Sequence, residues 1–252
     1  MQIDLNCDMG EGCGTAETDM EIMSYISSVN IACGLHAGDP EIMQYSVELA
    51  LANNVAIGAH PGFDDRDGFG RRLVALSDSE LKDTLYEQIN SMKELVEKMG
   101  GKLRHVKPHG AMYNHAAVNR DYSAVMAQVI KQIDPQLIFV GLANSEMTRA
   151  AADLGLAFAN EVFADRRYTN EGKLVDRSLR TAVISSEKES FSQVERMILQ
   201  QQIITIDETC IEVNPQTICV HGDTVHAVQF IKNIHRFLVS NNISVKPITP
   251  FK

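Results

Sequence analysis

The sequence lacks the features that mark membrane, secreted and nucleic-acid-binding proteins. No apolar run approaches the roughly 20 residues that a membrane span requires. The N-terminal stretch MQIDLNCDMG has neither a basic region nor an apolar core, so we expect no secretory signal. Positive charge is scarce, since 23 Lys and Arg stand against 33 Asp and Glu, for a formal net charge of −10. This acidic balance argues against binding to nucleic acid.

Paired cysteines and standard nucleotide or metal motifs are also missing. The five cysteines are scattered and form no CxxC pair, which favours reduced thiols and a cytoplasmic protein. The chain has no GxxxxGK[ST] phosphate loop, no HExxH zinc motif and no GxGxxG dinucleotide fingerprint. None of the sites that these motifs form is therefore expected.

What the chain does contain is an alternation of short apolar runs and helical stretches. The runs cover residues 2–6, 29–33, 55–59, 103–107, 137–142, 156–161 and 217–221, with a weak eighth candidate at 244–249. The helical stretch at 39–54 begins with Asp39 as a candidate N-cap and Pro40 in the first turn. Such alternation predicts parallel βαβ units. We interpret the runs as continuously apolar, which is typical of strands covered on both faces.

Seven such units favour a closed barrel over an open sheet. The predicted fold class is α/β, a distorted (β/α) TIM-like barrel of about seven parallel strands. We predict a single barrel domain over residues 1–252, with an insertion around 165–215 where the alternation is interrupted. An open doubly wound sheet is the alternative.

Polar residues follow the ends of nearly all the apolar runs. Because the strands of a parallel barrel all end at the same rim, these residues are predicted to converge on one active site. A single carboxylate, such as that of Asp223, has a purely structural alternative, which is to cap the following helix. The candidate site residues are Asn6, Asp8, Glu11, His36, His60, Arg71, Lys107, His109, Glu161, Arg166, Arg177, His221 and Asp223.

Three kinds of chemistry are available in this set. The histidines can supply acid–base catalysis near neutral pH. The lysine and arginines can hold a carboxylate or a phosphate. The carboxylates can orient water, act as bases or bind a metal ion, for which Asp8, His36 and His60 are the candidate ligands.

Several longer motifs resemble the LamB/YcsF family in order and spacing. The resemblance covers residues 2–223 and continues into the last helical stretch. It departs at Arg167, where the family usually has glycine, and across residues 176–181, where Asp176 replaces a proline. The motifs are IDLNCDMGEGCG, NIACGLHAGD, VAIGAHPGFDDRDGFGR, RHVKPHGAMYN, EVFADRRY and CVHGD.

The resemblance implies a distorted barrel related to the carbohydrate deacetylases. It also implies ATP-dependent cleavage of 5-oxo-L-proline (pyroglutamate) to L-glutamate, with 5-oxoprolinase subunits B and C as partners. ATP is the implied cofactor, with a divalent metal such as Mg²⁺ bound to it. ATP would then use a nonstandard site at the rim or a site shared between subunits.

For this reaction we expect the cations to neutralise the anionic groups of the substrates. Asp8 or Glu161 would orient or deprotonate water, and His60 or His109 would carry a proton to the ring nitrogen. The predicted catalytic residues are Asp8, His60, Lys107, His109 and Glu161. The predicted substrate-binding residues are Asn6, Glu11, His36, Arg71, Arg166, Arg177, His221 and Asp223.

Two other functions remain open from the sequence. One is a stand-alone metal-dependent hydrolase, of the amide or carbohydrate deacetylase type, which would share the fold and the Asp/His rim. The other is a non-enzymatic subunit that binds a sugar or a lactam for a partner protein.

Overall fold

A closed barrel of parallel strands forms the centre of the molecule. The computed structural model describes residues 1–12, 15–221 and 227–251. Neighbouring strands pair in chain order, and the last of them pairs back with the first. This arrangement confirms the predicted TIM-like barrel of about seven parallel strands. The barrel strands are β1 (Gln2–Met9), β2 (Ser28–Ala32), β3 (Ala56–His60), β4 (Leu103–Val106), β5 (Ile138–Leu142), β6 (Phe158–Phe163) and, later in the chain, β9 (Thr217–Cys219).

Helices cover the outside of the barrel. Asp39 accepts a hydrogen bond from the amide of Ile42 and caps its helix as predicted, with Pro40 in the first turn. A capping box of Ser77 and Glu80 starts the longest helix. None of the helices in the described part of the chain has both the length and the apolar character of a membrane span. The helices are α1 (Ala16–Met23), α2 (Pro40–Ala52), α3 (Asp78–Lys98), α4 (Gly110–Ala116), α5 (Arg120–Ile133), α6 (Glu146–Asp153), α7 (Glu187–Leu199) and α8 (Ala227–Ser240).

In the described part of the chain, three short strands lie outside the barrel. The weak eighth run forms β10 (Ser244–Val245), which pairs in parallel with the start of β1. Between β6 and β9, an antiparallel hairpin of β7 (Gln202–Ile204) and β8 (Cys210–Glu212) follows α7. Earlier in this segment, an isolated bridge joins Arg166 to Val183.

The interior of the barrel is more polar than expected from continuously apolar strands. Along β1, the buried residues Asp4, Asn6 and Asp8 alternate with buried apolar residues. Side chains two residues apart point to the same face of a strand, so these polar groups line the interior and the apolar ones face the helices. Asn6 donates hydrogen bonds to Thr217 Oγ1 (2.6 Å) on the neighbouring strand β9 and to Glu161 Oε1 (3.1 Å) on β6, the next strand around the barrel. Hydrogen bonding between strands thus permits a polar interior.

Candidate active site

A cavity of about 420 Å³ opens at the carboxyl ends of the barrel strands. The structure brings eight of the predicted site residues to its wall: Asp8, His60, Arg71, Lys107, His109, Arg166, Arg177 and His221. Four other candidates do not line the cavity but contact residues that do: Asn6 and Glu161 contact Lys107, and Glu11 and His36 contact His109. The prediction for Asp223 falls outside the described residues.

Lys107 forms a buried ionic cluster at the floor of this cavity. Its Nζ lies 2.9 Å from Asp8 Oδ1 and 3.0 Å from Glu161 Oε1, and it also donates to Cys219 Sγ at 3.1 Å. Burial disfavours the charged forms of Lys107 and Asp8, but the attraction between the ammonium group and the carboxylates outweighs this effect. The pKa of Lys107 is therefore raised and that of Asp8 is lowered well below its usual value. Asp8 and Lys107 thus remain an ion pair at neutral pH.

Three histidines and Glu11 form a second cluster beside the cavity. Nδ1 of His60 contacts the carbonyl oxygen of Lys107 at 2.6 Å, and Nε2 of His109 contacts that of Phe69 at 2.8 Å. The other nitrogens, His60 Nε2 and His109 Nδ1, lie 3.1 Å apart. Glu11 Oε1 is 3.1 Å from His109 Nδ1 and 3.8 Å from His60 Nε2. We call His36, His60, His109 and Glu11 the histidine–glutamate cluster.

Burial and neighbouring charges set the protonation of this cluster. Burial lowers the pKa of His36 to about 4, although Glu11 opposes the shift. Burial also lowers the pKa of His109. Burial likewise disfavours charge on His60, but the Asp8 carboxylate, whose Oδ2 lies 3.4 Å from Nε2, raises the pKa of His60 overall. The pKa values of these neighbouring histidines are therefore shifted in opposite directions.

His221 and Asp165 form a hydrogen-bonded pair on another side of the cavity. Nδ1 of His221 lies 2.9 Å from Asp165 Oδ1, and the amide of His221 donates to Oδ2 at 3.1 Å. Burial of Asp165 opposes ionisation, but His221 lowers the pKa of Asp165 overall. With Nδ1–H directed at the carboxylate, Nε2 of His221 remains as the acceptor nitrogen.

A group of arginines gives one side of the cavity a positive charge. Arg166 is buried, and its Nη2 donates to the carbonyl of Val175 at 2.7 Å. Burial and the nearby charge of Arg177 lower the pKa of Arg166. The guanidinium of Arg71 lies 4.8 Å from the ring centre of Phe69. Closely spaced cations of this kind favour a bound anion.

The loop after β3 and the start of α4 interlock through two glycines. Gly70 and Gly110 both have left-handed backbone conformations, with φ of 63° and 50°. A Cβ on Gly110 would lie 2.7 Å from the carbonyl oxygen of Gly70, and the amide of Ala111 donates to that oxygen at 3.0 Å. This contact explains the glycine that follows His109 in the motif VKPHG.

Two residues that contribute to the site were not among the predicted site residues. Asp165 follows β6 within the motif EVFADRRY, and its position after a strand is the signal that identifies it. Cys219 ends β9 and contacts Lys107, although its sequence context indicates only a small buried side chain. The pairing of β6 with β9 brings Asp165 to His221, whereas Lys107 and Cys219 follow or end strands that are not paired and meet only because the barrel is closed.

Among the residues that the structure describes, two groups of side chains hold potential metal-ligand atoms close together. Within each group the donor atoms all lie within 4.8 Å of one another. One group is the histidine–glutamate cluster, and the other comprises Asp8, Cys219 and His221. In the second group Asp8 and Cys219 already contact Lys107, whose charge disfavours a cation there.

Comparisons with known proteins place this site in a family context. The sequence model of the LamB/YcsF family matches residues 3–252. The chain is 45% identical over 246 residues to a protein of Bacillus cereus (strain 03BB102) that is named as the A subunit of 5-oxoprolinase, and the alignment covers 96% of this chain and 97% of the relative. A crystal structure of a lactam utilization protein from Thermus thermophilus is similar with a TM-score of 0.89 and 34% identity, covering 98% of this chain and 99% of that one.

A more distant likeness concerns the fold alone. A family 4 carbohydrate esterase from Streptomyces lividans superposes with a TM-score of 0.50 at 12% identity, covering 97% of this chain and 91% of that chain. The barrel is thus shared with a carbohydrate esterase, as the predicted relation to carbohydrate deacetylases implies.

Proposed function

The chain belongs to the LamB/YcsF family, and from this premise we propose that it acts in 5-oxoproline metabolism as the A subunit of an ATP-dependent 5-oxoprolinase. In this role it takes part in cleaving the lactam of 5-oxo-L-proline to give L-glutamate. ATP with Mg²⁺ supplies the activation, and subunits B and C are the partners. The names of similar proteins support the lactam substrate, while the ATP requirement and the partners are parts of the proposal.

The observation that carries the proposal is that one cavity presents two kinds of chemical group. Three arginines line it, and so do Lys107, with its buried carboxylates, and His221, which is paired with Asp165. A lactam amino acid needs both kinds of group, because its carboxylate must be held while its ring carbonyl reacts. We assign the carboxylate to Arg71 and Arg177, with Arg166 behind them.

The proposed reaction begins with activation of a weak electrophile. The γ-phosphoryl group of ATP is transferred to the lactam carbonyl oxygen, and ADP leaves. Water then adds to the same carbon and loses a proton. The C–N bond breaks, the ring nitrogen takes the electron pair and a proton, and γ-glutamyl phosphate forms. A second water releases phosphate, so that the products are L-glutamate, ADP and phosphate.

Named residues supply the charge and the proton transfer in this scheme. Lys107 stays cationic and balances negative charge that develops on the carbonyl or phosphoryl oxygens. Asp8 holds Lys107 in place through its Oδ1. His221 takes the proton from water and returns it to the leaving nitrogen, with Asp165 as the positioning residue that fixes its tautomer. His221 rather than His60 or His109 has this role, because those two direct their free nitrogens at each other.

We place ATP at a site shared with a partner protein. The sequence has no GxxxxGK[ST] loop, and the arginine-lined mouth of the cavity lies where a phosphate could enter. Binding across an interface explains how one active site depends on three kinds of subunit.

The test is reconstitution with subunits B and C, followed by measurement of glutamate release from 5-oxoproline with and without Mg²⁺-ATP. We expect release only when all three proteins and ATP are present. His221→Ala should lower turnover by about 10²- to 10⁴-fold, the usual effect of losing a positioned acid–base group. Asp165→Asn should lower kcat more than it changes KM. Glutamate release without ATP, or full activity of His221→Ala, would contradict the proposal.

A stand-alone metal-dependent hydrolase remains the second candidate, because the histidine–glutamate cluster holds ligand atoms that suit a metal. That enzyme would hydrolyse an amide or an acetylated sugar without ATP, and a chelator would abolish its activity. The two functions are therefore distinguished by whether hydrolysis requires ATP. Hydrolysis is measured with and without ATP, both before chelation and after chelation followed by addition of Mg²⁺.

A further inference from the structure

The second ring nitrogens of His60 and His109 face each other within the histidine–glutamate cluster. His60 donates Nδ1–H to the carbonyl of Lys107, and His109 donates Nε2–H to the carbonyl of Phe69. When both imidazoles are neutral and carry one proton each, His60 Nε2 and His109 Nδ1 both present lone pairs, 3.1 Å apart. Two carboxylate oxygens add negative charge: Glu11 Oε1 lies 3.1 Å from His109 Nδ1, and Asp8 Oδ2 lies 3.4 Å from His60 Nε2. A positive species between these atoms would remove the repulsion.

We infer that His60, His109 and Glu11 bind a divalent transition-metal ion, of the class that includes Zn²⁺ and Co²⁺. Histidines that bind metals almost always donate their second ring N–H to a backbone carbonyl, a carboxylate or water, and both histidines here donate to backbone carbonyls. Two imidazoles and a carboxylate are a familiar ligand set for zinc. Mg²⁺ and Ca²⁺ prefer oxygen ligands, so they fit this set less well.

The distances between the donor atoms also fit this class of ion. Tetrahedral coordination with metal–ligand bonds of about 2.0–2.1 Å separates neighbouring donor atoms by about 3.3 Å. The three separations in the structure are 3.1 Å, 3.1 Å and 3.8 Å. A shared proton would explain only the contact between the two nitrogens, whereas a metal ion explains why the carboxylate oxygen is near both.

His36 and Asp8 are neighbours of this site rather than its ligands. The ring of His36 stacks on that of His109, with ring centres 3.9 Å apart and 7° between the planes. Lone pairs lie in the plane of an imidazole ring, so an ion in the plane of His109 lies outside that of His36. Asp8 Oδ1 is held by Lys107 and Asn30. Asp8 Oδ2 lies 3.4 Å from His60 Nε2, but Asp8 is not in the group whose ligand atoms all lie within 4.8 Å of one another. The sequence predicted Asp8, His36 and His60 as ligands, and the geometry favours His60 with His109 and Glu11. His60 and His109 line the cavity, which gives the ion a path to the site.

Metal binding is independent of the proposed lactam reaction, because it requires neither ATP nor another protein. The test uses the full chain, stripped with a chelator, dialysed, and titrated with Co²⁺ while the visible spectrum is recorded. We expect about one Co²⁺ per chain, with the intense absorption of a tetrahedral or five-coordinate site. Zn²⁺ should displace it, and each ion should raise the Tm.

Two ligand variants and one control make the assignment specific. Glu11→Gln and His109→Ala should each weaken Co²⁺ binding by at least about 10-fold, since a lost ligand typically costs more than the 10- to 100-fold of a lost supporting residue. The control is His235→Gln, because His235 is half-buried and packs on Tyr25 away from the cavity. Thermal melting of each metal-free variant identifies any that fails to fold. The proposal is overturned if the folded wild-type chain binds no Co²⁺, or if both ligand variants bind it as tightly as His235→Gln.

Discussion

At the scale of single residues, Lys107 connects the interior of the barrel to the cavity. Its ammonium group is buried between Asp8 and Glu161, and its backbone carbonyl orients His60. A lone buried charge is costly, so the cluster is stable only as a complete set. One residue thus fixes both the charge balance of the floor and the tautomer of a neighbouring histidine.

Replacing Lys107 with methionine should therefore affect both stability and activity. Lys107→Met removes the cation that lies between the buried carboxylates of Asp8 and Glu161, and breaking a buried pair costs about 3–5 kcal/mol of unfolding free energy. Turnover in the assembled complex should also fall by about 10²- to 10³-fold, because the cation is lost from the reacting centre. Urea denaturation and glutamate release measure the two effects. The matched control is Lys102→Met, an exposed lysine just before the same strand, and equal stability of the two variants would refute the account.

Asp4 gives a second prediction, for stability as a function of pH. Burial raises the pKa of Asp4 from 3.8 to about 6, although hydroxyl groups of Ser27, Thr217 and Ser28 oppose the shift. A carboxyl with a raised folded-state pKa stabilises the fold fully below pH 3.8, and this contribution is lost as the pH rises through about 6.

The Asp4→Asn variant removes that titration. A shift of this size corresponds to roughly 3 kcal/mol of unfolding free energy. Between pH 4 and pH 7 the wild type should lose most of this free energy, whereas Asp4→Asn should not. Urea denaturation at several pH values measures the slope. Asp83→Asn, at an exposed position on α3, is the control. If the unfolding free energy of Asp4→Asn depends on pH as steeply as that of the wild type, then Asp4 does not bind the extra proton in the folded state.

At the scale of elements, periodicity and capping residues predicted most of the barrel. Six of the barrel strands overlap their predicted runs closely, while β1 extends beyond 2–6 to Met9 because hydrogen bonds inside the barrel accommodate Asp8. The short helices α1 and α4 were not predicted, since eight and seven residues carry little periodic signal. Because the ends of the strands could be located from the sequence, the residues at the rim of the barrel could be identified from it as well.

The contacts within the site could not be predicted in the same way. The facing nitrogens of His60 and His109 depend on the backbone carbonyls of Lys107 and Phe69, whose positions are set by loops. The partner of His221 depends on the pairing of β6 with β9, which are separated by the inserted segment. The sequence shows which side chains can donate or accept protons, whereas the partner of each ring nitrogen is known only from the folded structure.

The loop that carries Gly70 should be unusually intolerant of a side chain. In Gly70→Ala, the new Cβ would lie 2.7 Å from His36 Cβ and 2.8 Å from His109 Cδ2. A left-handed alanine costs about 1–2 kcal/mol, and overpacking adds about 1–3 kcal/mol. The matched control is Gly155→Ala, because Gly155 has nearly the same φ but no atom within 4 Å of the new Cβ.

Comparing the two alanine variants separates the steric effect from the backbone effect. Both should lose stability in urea denaturation, but Gly70→Ala should lose more and should also reduce Co²⁺ binding, because His109 must move. Equal losses in the two variants would mean that the loop can shift away from the cluster.

At the scale of the whole molecule, the overall charge opposes the charge of the cavity. The chain carries a formal net charge of −10, whereas Arg71, Arg166 and Arg177 line the cavity. At physiological ionic strength, charges are screened beyond about 8 Å, so an anion at the mouth responds mainly to the local arginines. A negative surface therefore does not prevent binding of an anionic substrate.

This balance predicts how salt affects the proposed reaction. Raising the salt concentration should lower kcat/KM for 5-oxoproline, because screening weakens the local attraction more than it relieves the distant repulsion. Arg177→Gln should raise KM by roughly 10-fold, the effect of losing a charge-assisted hydrogen bond of about 1.5 kcal/mol, and should flatten the salt dependence. Arg180→Gln, an exposed arginine three positions along the chain that does not line the cavity, should leave both unchanged. If the two variants behave alike in the reconstituted complex, the carboxylate is bound elsewhere, and the arginines have a structural role instead.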